Sequence, residues 1–199
     1  MRNKLKNDKT VWHYTYSHNI GAILESKVLL PPYLTPGFRM QEASAVAQFG
    51  ESILKDRGFV ADKKLLLFSQ REDWEPMSYR AVMTPLGPID LHGIEDYSKY
   101  GMDVFRIAVS VSILHPYLKL KRLAGMPKDM AANLDRIAGQ FGSNPYDWWG
   151  TMKPVGIDKW TAIQVRNPES KAWETFAEIE VEKVEIPLEV NSPKANLKL

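Results

Sequence analysis

The chain has 199 residues, with 26 Lys+Arg against 24 Asp+Glu and no cysteine. Its length suits one domain that buries roughly 70% of its unfolded surface, and 44% apolar with 25% charged residues excludes wholesale disorder. The missing cysteine excludes disulfide scaffolds, thiolate metal sites and cysteine nucleophiles. No apolar run approaches the ~20 residues of a membrane span, so no membrane partner is expected. The basic start (Arg2, Lys4, Lys6, Lys9) has no apolar h-region behind it, and the cytoplasm is the expected location. Residues 1–10 are expected to be a flexible basic N-terminus, 11–187 a single domain and 188–199 a polar tail. Residues 169–189 hold seven Glu and two Lys, which reads as a solvated face or as a field that orients a charged substrate.

In chain order, Val11 to Thr15 is short and β-prone. Ser17 is placed to cap a helix over 18–28, with Ile20, Ile23, Leu24 and Val28 at helical spacing and Pro31-Pro32 as its stop. A second helix is predicted over 41–57, with Gly58 ending it. Leu65 to Ser69 reads as a strand buried on both faces. Residues 84–103 hold two Pro, three Gly and few large aliphatics, and read as a long loop, a candidate lid. Val104 to Val111 is a strand with Ile107, Val109 and Val111 on one side and Arg106, Ala108 and Ser110 on the other. Pro127 to Phe141 is a helix that Gly142 ends. Residues 143–150 read as a turn leading into two adjacent indoles. Residues 160–166 and 173–186 form a hairpin around Asn167-Pro168-Glu169-Ser170. In its second strand the apolar alternation changes phase near Glu182-Lys183, which predicts a bulge there.

Few residues carry obvious chemistry. There are four histidines. His18 lies in the first turn of a helix, His92 in the long loop and His115 before a proline. His13, between Trp12 and Tyr14, is either a hydrogen-bonded core imidazole or a neutral one that meets a ligand hydroxyl. No metal-ligand spacing occurs, nor any glycine-rich phosphate loop or nucleophile elbow, which disfavours metal, Rossmann, P-loop and α/β-hydrolase chemistry. Six tryptophans, two of them adjacent at Trp148-Trp149, supply either core or the flat walls a base needs. Adjacent strand residues face opposite ways, so at most one of that pair lines a given cleft.

Trp12-His13-Tyr14-Thr15, the helix ending Ile23-Leu24-Glu25-Ser26-Lys27-Val28-Leu29-Leu30-Pro31 and the later Phe68-Ser69 resemble the opening and strand-end F-S of the DNA-modifying ADP-ribosyltransferase toxins. Trp12–Thr15, Phe68-Ser69 with Trp74-Glu75-Pro76, and Ser143-Asn144-Pro145-Tyr146-Asp147-Trp148-Trp149 are similar to a pattern found in a family of uncharacterised bacterial and phage proteins. The first resemblance implies an α+β fold: a split, bent, mostly antiparallel β-sheet core with flanking helices, ADP-ribosyltransferase-like. It implies NAD as substrate, without a metal, and a protein or nucleic-acid acceptor, or NAD hydrolysis. By the same resemblance His13 would meet the adenosine ribose, Tyr14 and Thr15 shape the strand edge, and Phe68 and Ser69 flank the nicotinamide. His13, Tyr14, Ser69 and one of Trp148 or Trp149 are then expected around one pocket, with Trp148 taken as the ring. The catalytic carboxylate would be Glu178, with Glu174 behind it on the same strand and Glu75 as the rival. If neither Glu178 nor Glu75 faces the cleft, the alternative is a non-catalytic phage or defence-system protein that grips a nucleotide or a protein partner among its aromatics.

Overall fold

A computed structural model of the chain describes residues 9–34, 65–78, 80–84, 87–91, 93–177 and 179. Fifteen helices and strands of the described residues are labelled here: β1 (Thr10–Tyr16), α1 (Ser17–Ser26), β2 (Val28–Leu29), β3 (Leu66–Ser69), β4 (Arg80–Thr84), β5 (Gly87–Leu91), α2 (Ile94–Tyr97), β6 (Val104–Ser110), β7 (His115–Pro116), α3 (Tyr117–Leu123), α4 (Lys128–Gln140), β8 (Trp148–Thr151), β9 (Val155–Gly156), β10 (Trp160–Arg166) and β11 (Trp173–Ala177). Seven strands form one sheet in the order β11-β10-β6-β1-β3-β8-β7, and every described pairing is antiparallel. The fold is α+β. The predicted helix 41–57, His92, Glu178 and the bulge at Glu182-Lys183 lie outside the described residues.

Alternation along β1 sorts the interior into two faces. Val11 joins Phe68, Phe105, Ile107, Val109 and Ile163 in a core that α1 closes with Ile20. Tyr14 and Tyr16 point the other way, into an aromatic core with Trp74, Leu91, Tyr97 and Val104. A third core joins Leu65 and Trp148 to Tyr117 and Leu120 of α3 and Leu134 and Ala138 of α4. A register shift between Trp160 and Ala162 leaves Thr161 as an extra residue in β10. Trp160 and Ile163, three apart, thereby return to one face and one core, which regular alternation forbids.

Several expectations are corrected. α1 ends at Ser26, not at the prolines, because Lys27 takes a left-handed conformation (φ 55) and Val28-Leu29 pair with Val155-Gly156. Ser17 does not cap it; Tyr16 holds that position, and the Ser17 amide donates to the Asp103 carbonyl at 3.0 Å. The 84–103 segment is not a long loop: it holds the rest of the β4–β5 hairpin and α2, and buries Leu91 and Tyr97. Residues 148–150 are strand, paired with β3. In β11 the register slips at Phe176, before the predicted bulge, so Glu174 and Ala177 face one side instead of two.

The sheet is held unevenly. β1 pairs with β6 along its whole length, from Thr10↔Ser110 to Tyr16↔Val104, but meets β3 only at Trp12↔Ser69. Beyond that pair β1 and β3 part.

Candidate functional site

Glu75 is the focus of the widely separated motifs. It is 4% exposed. Its Oε2 accepts from Ser69 Oγ at 2.7 Å and from Trp148 Nε1 at 3.0 Å. Its Oε1 accepts from Ser143 Oγ and from the Met77 amide at 3.2 Å. Each donor has a local cause. Ser69 ends β3 on the face of Trp12 and Trp148, its cross-strand partners. α4 closes in a Schellman turn: Gly142 takes φ 73, its amide bonds the Gly139 carbonyl at 3.3 Å, and the Ser143 amide bonds that of Ala138 at 2.8 Å. That left-handed turn delivers the Ser143 hydroxyl to the carboxylate. Asn144 then accepts from the Tyr146 amide, Pro145 opens a short 3-10 turn, and the chain enters β8 with Trp148 buried. The carboxylate is satisfied on both oxygens, which is what a buried charge requires.

Three successive carbonyls leading to Glu75 are also taken. Tyr14 donates its hydroxyl to the Arg71 carbonyl at 2.6 Å, an Arg106 Nη bonds that of Glu72, and Trp173 Nε1 bonds that of Asp73 at 3.2 Å. The segment is thus pinned to β1, β6 and β11. Burial pushes the Tyr14 phenol far above its ordinary value, so it keeps its proton and stays a donor. Arg106 lies 3.8 Å from the Trp12 ring centroid and 4.3 Å from that of Trp173, and its Nε donates to Gln164 Oε1 at 2.7 Å.

His13 sits where β1 and β3 part. Its Nδ1 bonds the Leu67 carbonyl at 3.0 Å and its ring lies 5.6 Å from that of Phe68. A carbonyl accepts only from N–H, so Nδ1 carries the proton and Nε2 is left as an acceptor. Burial lowers the imidazole pKa below 6.5, against the smaller opposing effect of the Leu67 carbonyl. An unfolded chain then takes up this proton first, so stability is full above pH 6.5 and falls as pH drops through 6.5 toward the folded value. His13→Asn, which can keep the bond to Leu67, is expected to flatten that part of the pH dependence in urea midpoints measured between pH 7.5 and 5.5.

The expected single pocket does not form. Tyr14, Ser69 and Trp148 lie on one face of the sheet; His13, Phe68 and Trp149 lie on the other, because Ser69 pairs with Trp12 and Phe68 with Trp149. Thr15 is buried at 3% exposure and lies opposite Phe105. Trp148, chosen as the ring, spends its N–H on Glu75. Glu174 is exposed and accepts from Asn167 Nδ2 at 2.7 Å, bracing the β10–β11 turn. Neither Arg106 nor Ser143 carries an expected site role, although Ser143 opens the S-x-P-x-x-W-W pattern; the lone charge inside the apolar strand Val104–Ser110 is the available signal for Arg106. Among the described residues no cluster of His, Cys, Asp or Glu could hold a metal, and no helix is long and apolar enough to cross a membrane.

Fold and site together define an α+β protein with a seven-stranded antiparallel sheet, parted beside a histidine and braced by a buried carboxylate. Comparison with protein-family models, with curated proteins and with solved structures returns no match.

Proposed function

We propose that the chain is an ADP-ribosyltransferase-like protein that binds NAD at the opening between β1 and β3, and transfers ADP-ribose to a protein or nucleic acid or hydrolyses NAD. The observation that carries this reading is His13 at that opening. Its Nδ1–H is fixed on Leu67, its ring leans on Phe68, and burial favours the neutral form, leaving Nε2 to accept from a ribose hydroxyl. That the H-Y-T and F-S segments stand on neighbouring strands supports this reading. Glu75 in this reading is scaffold, not catalyst: both its oxygens are engaged and it is buried. Transfer would then rest on Glu178, whose carboxylate would stabilise positive charge developing on the ribose.

The test is NAD titration followed by assay for released nicotinamide. NAD is expected to raise the thermal midpoint. His13→Ala is expected to weaken NAD binding about tenfold, the scale of one lost ligand hydrogen bond. No midpoint shift at millimolar NAD overturns the reading. A second reading, nucleotide or partner binding without transfer, is favoured by the saturation of Glu75. It is selected if NAD binds in a His13-dependent way and no nicotinamide is released.

A further inference from the structure

Arg106 is an anomaly that the reading above does not use. It is 7% exposed, yet among the described residues it makes no ion pair. Its hydrogen bonds go to neutral oxygens, the Gln164 side chain and the Glu72 carbonyl, with the Tyr14 hydroxyl also beside it; the Glu72 carboxylate favours the charge from beyond ion-pair distance. Its charge rests on the faces of Trp12 and Trp173. A second cation, Arg166, stands 5.8 Å from the Trp173 centroid, with its own carboxylate partner, Glu95, at 3.4 Å on the exposed side. Burying a guanidinium without an anion is costly, and indole faces and neutral acceptors leave its full charge in place.

A second observation converges on the same point. Trp12 Nε1 is buried and has no hydrogen-bond partner. Its ring is the one that lies against Arg106. Native structures rarely leave a buried donor unpaired, and such a group calls for an explanation. An unpaired indole N–H and a guanidinium with no ion pair among the described residues therefore stand side by side, with donors in excess. A ligand that answers both carries several acceptor lone pairs and negative charge.

We propose that the face of the sheet bearing Trp12, Arg106 and Trp173 binds an oxyanion of the phosphate type, held by the guanidinium edge and the Trp12 N–H. Planar guanidinium suits the paired oxygens of such a group. Trp12 and Arg106 lie on the face opposite His13, so this site is separate from the nucleotide opening and does not depend on it.

The experiment is titration with sodium pyrophosphate, inorganic phosphate and acetate, each against sodium chloride at matched ionic strength. The readouts are tryptophan fluorescence and thermal midpoint. A saturable fluorescence change and a rise in midpoint are expected with pyrophosphate and phosphate in the millimolar range or below, and little with acetate. His13→Ala is expected to keep this binding in full. Trp12→Phe, assayed at a temperature where it is folded, is expected to weaken it about five- to tenfold, one lost hydrogen bond. Arg106→Lys keeps a charge but loses the fork and is expected to weaken it more; if that variant fails to fold, Trp12→Phe decides. Chloride reproducing the effect, no saturation by about 20 mM, an equal response to acetate, or unchanged affinity in Trp12→Phe would each overturn the proposal.

Discussion

Glu75→Ala is expected to cost about 4 kcal/mol of stability. The alanine removes the acceptor for the hydroxyls of Ser69 and Ser143, the Trp148 indole and the Met77 amide, and leaves a void between the Trp74 and Trp148 clusters. Ser69, Ser143 and Trp148 are all buried, so water does not readily replace it. For a chain of this length such a loss lowers the thermal midpoint by roughly 10 °C. Glu75→Gln is expected to lose less, about 2 kcal/mol. With its amide nitrogen toward Ser143, that hydroxyl can turn to accept and only the Met77 amide loses its partner; the opposite orientation strands the Trp148 N–H, which cannot accept. Urea midpoints at constant m-value measure both. An unchanged midpoint in Glu75→Ala would mean that the carboxylate does not brace the fold. Turnover that disappears in Glu75→Gln while the protein stays folded would return Glu75 to the role of catalyst.

Gly150→Ala is expected to cost about 3 kcal/mol, at the upper end for overpacking. An added Cβ would lie 2.6 Å from the Leu66 carbonyl oxygen, 2.7 Å from Leu120 Cδ2 and 3.0 Å from Leu67 Cδ2. The carbonyl belongs to β3, the strand that β8 pairs with, so it cannot withdraw without opening the ladder. α3 must also lift from the sheet, because Leu120 is fully buried beneath it. Gly139→Ala is the internal contrast: it lies in α4 with nothing within 4 Å of its added Cβ and is expected to stabilise by about 0.5–1 kcal/mol. Opposite signs for the two substitutions check the packing of α3 against β3 and β8.

Much of the architecture was written locally. β-branched and aromatic runs at 10–16, 66–69, 104–110 and 160–166 formed strands where alternation and composition placed them. The amphipathic stripe of α4 and the glycine after it set that helix and its stop, since a left-handed residue is most easily supplied by glycine. The failures also have local causes. Residues 84–103 lack aliphatic periodicity, yet fold because the hairpin pairs with itself and Tyr97 is buried among Tyr16 and Trp74. The prolines after α1 looked like its terminator, but pairing of Val28-Leu29 with β9 ended it first.

The sequence by itself determined the α+β class, the places of β1, β3, β6, β10, β11, α1 and α4, and the absence of thiol chemistry, and it set out the W-H-Y-T, F-S, W-E-P and S-x-P-x-x-W-W segments. Only the tertiary structure decided what they do to one another. Which residue pairs across a sheet is a long-range choice, and a register displaced by one residue sends every side chain to the opposite face. Trp12 opposite Ser69 put His13 and Ser69 on different sides and divided the expected pocket. Trp148 opposite Ser69 turned that indole toward Glu75 and left Trp149 with Phe68. The parting of β1 from β3, the donors gathered around Glu75, and Arg106 between two tryptophans join residues that are six to more than seventy positions apart. Contacts at such separations leave no period in the chain, because they arise from sheet order and not from neighbours in sequence.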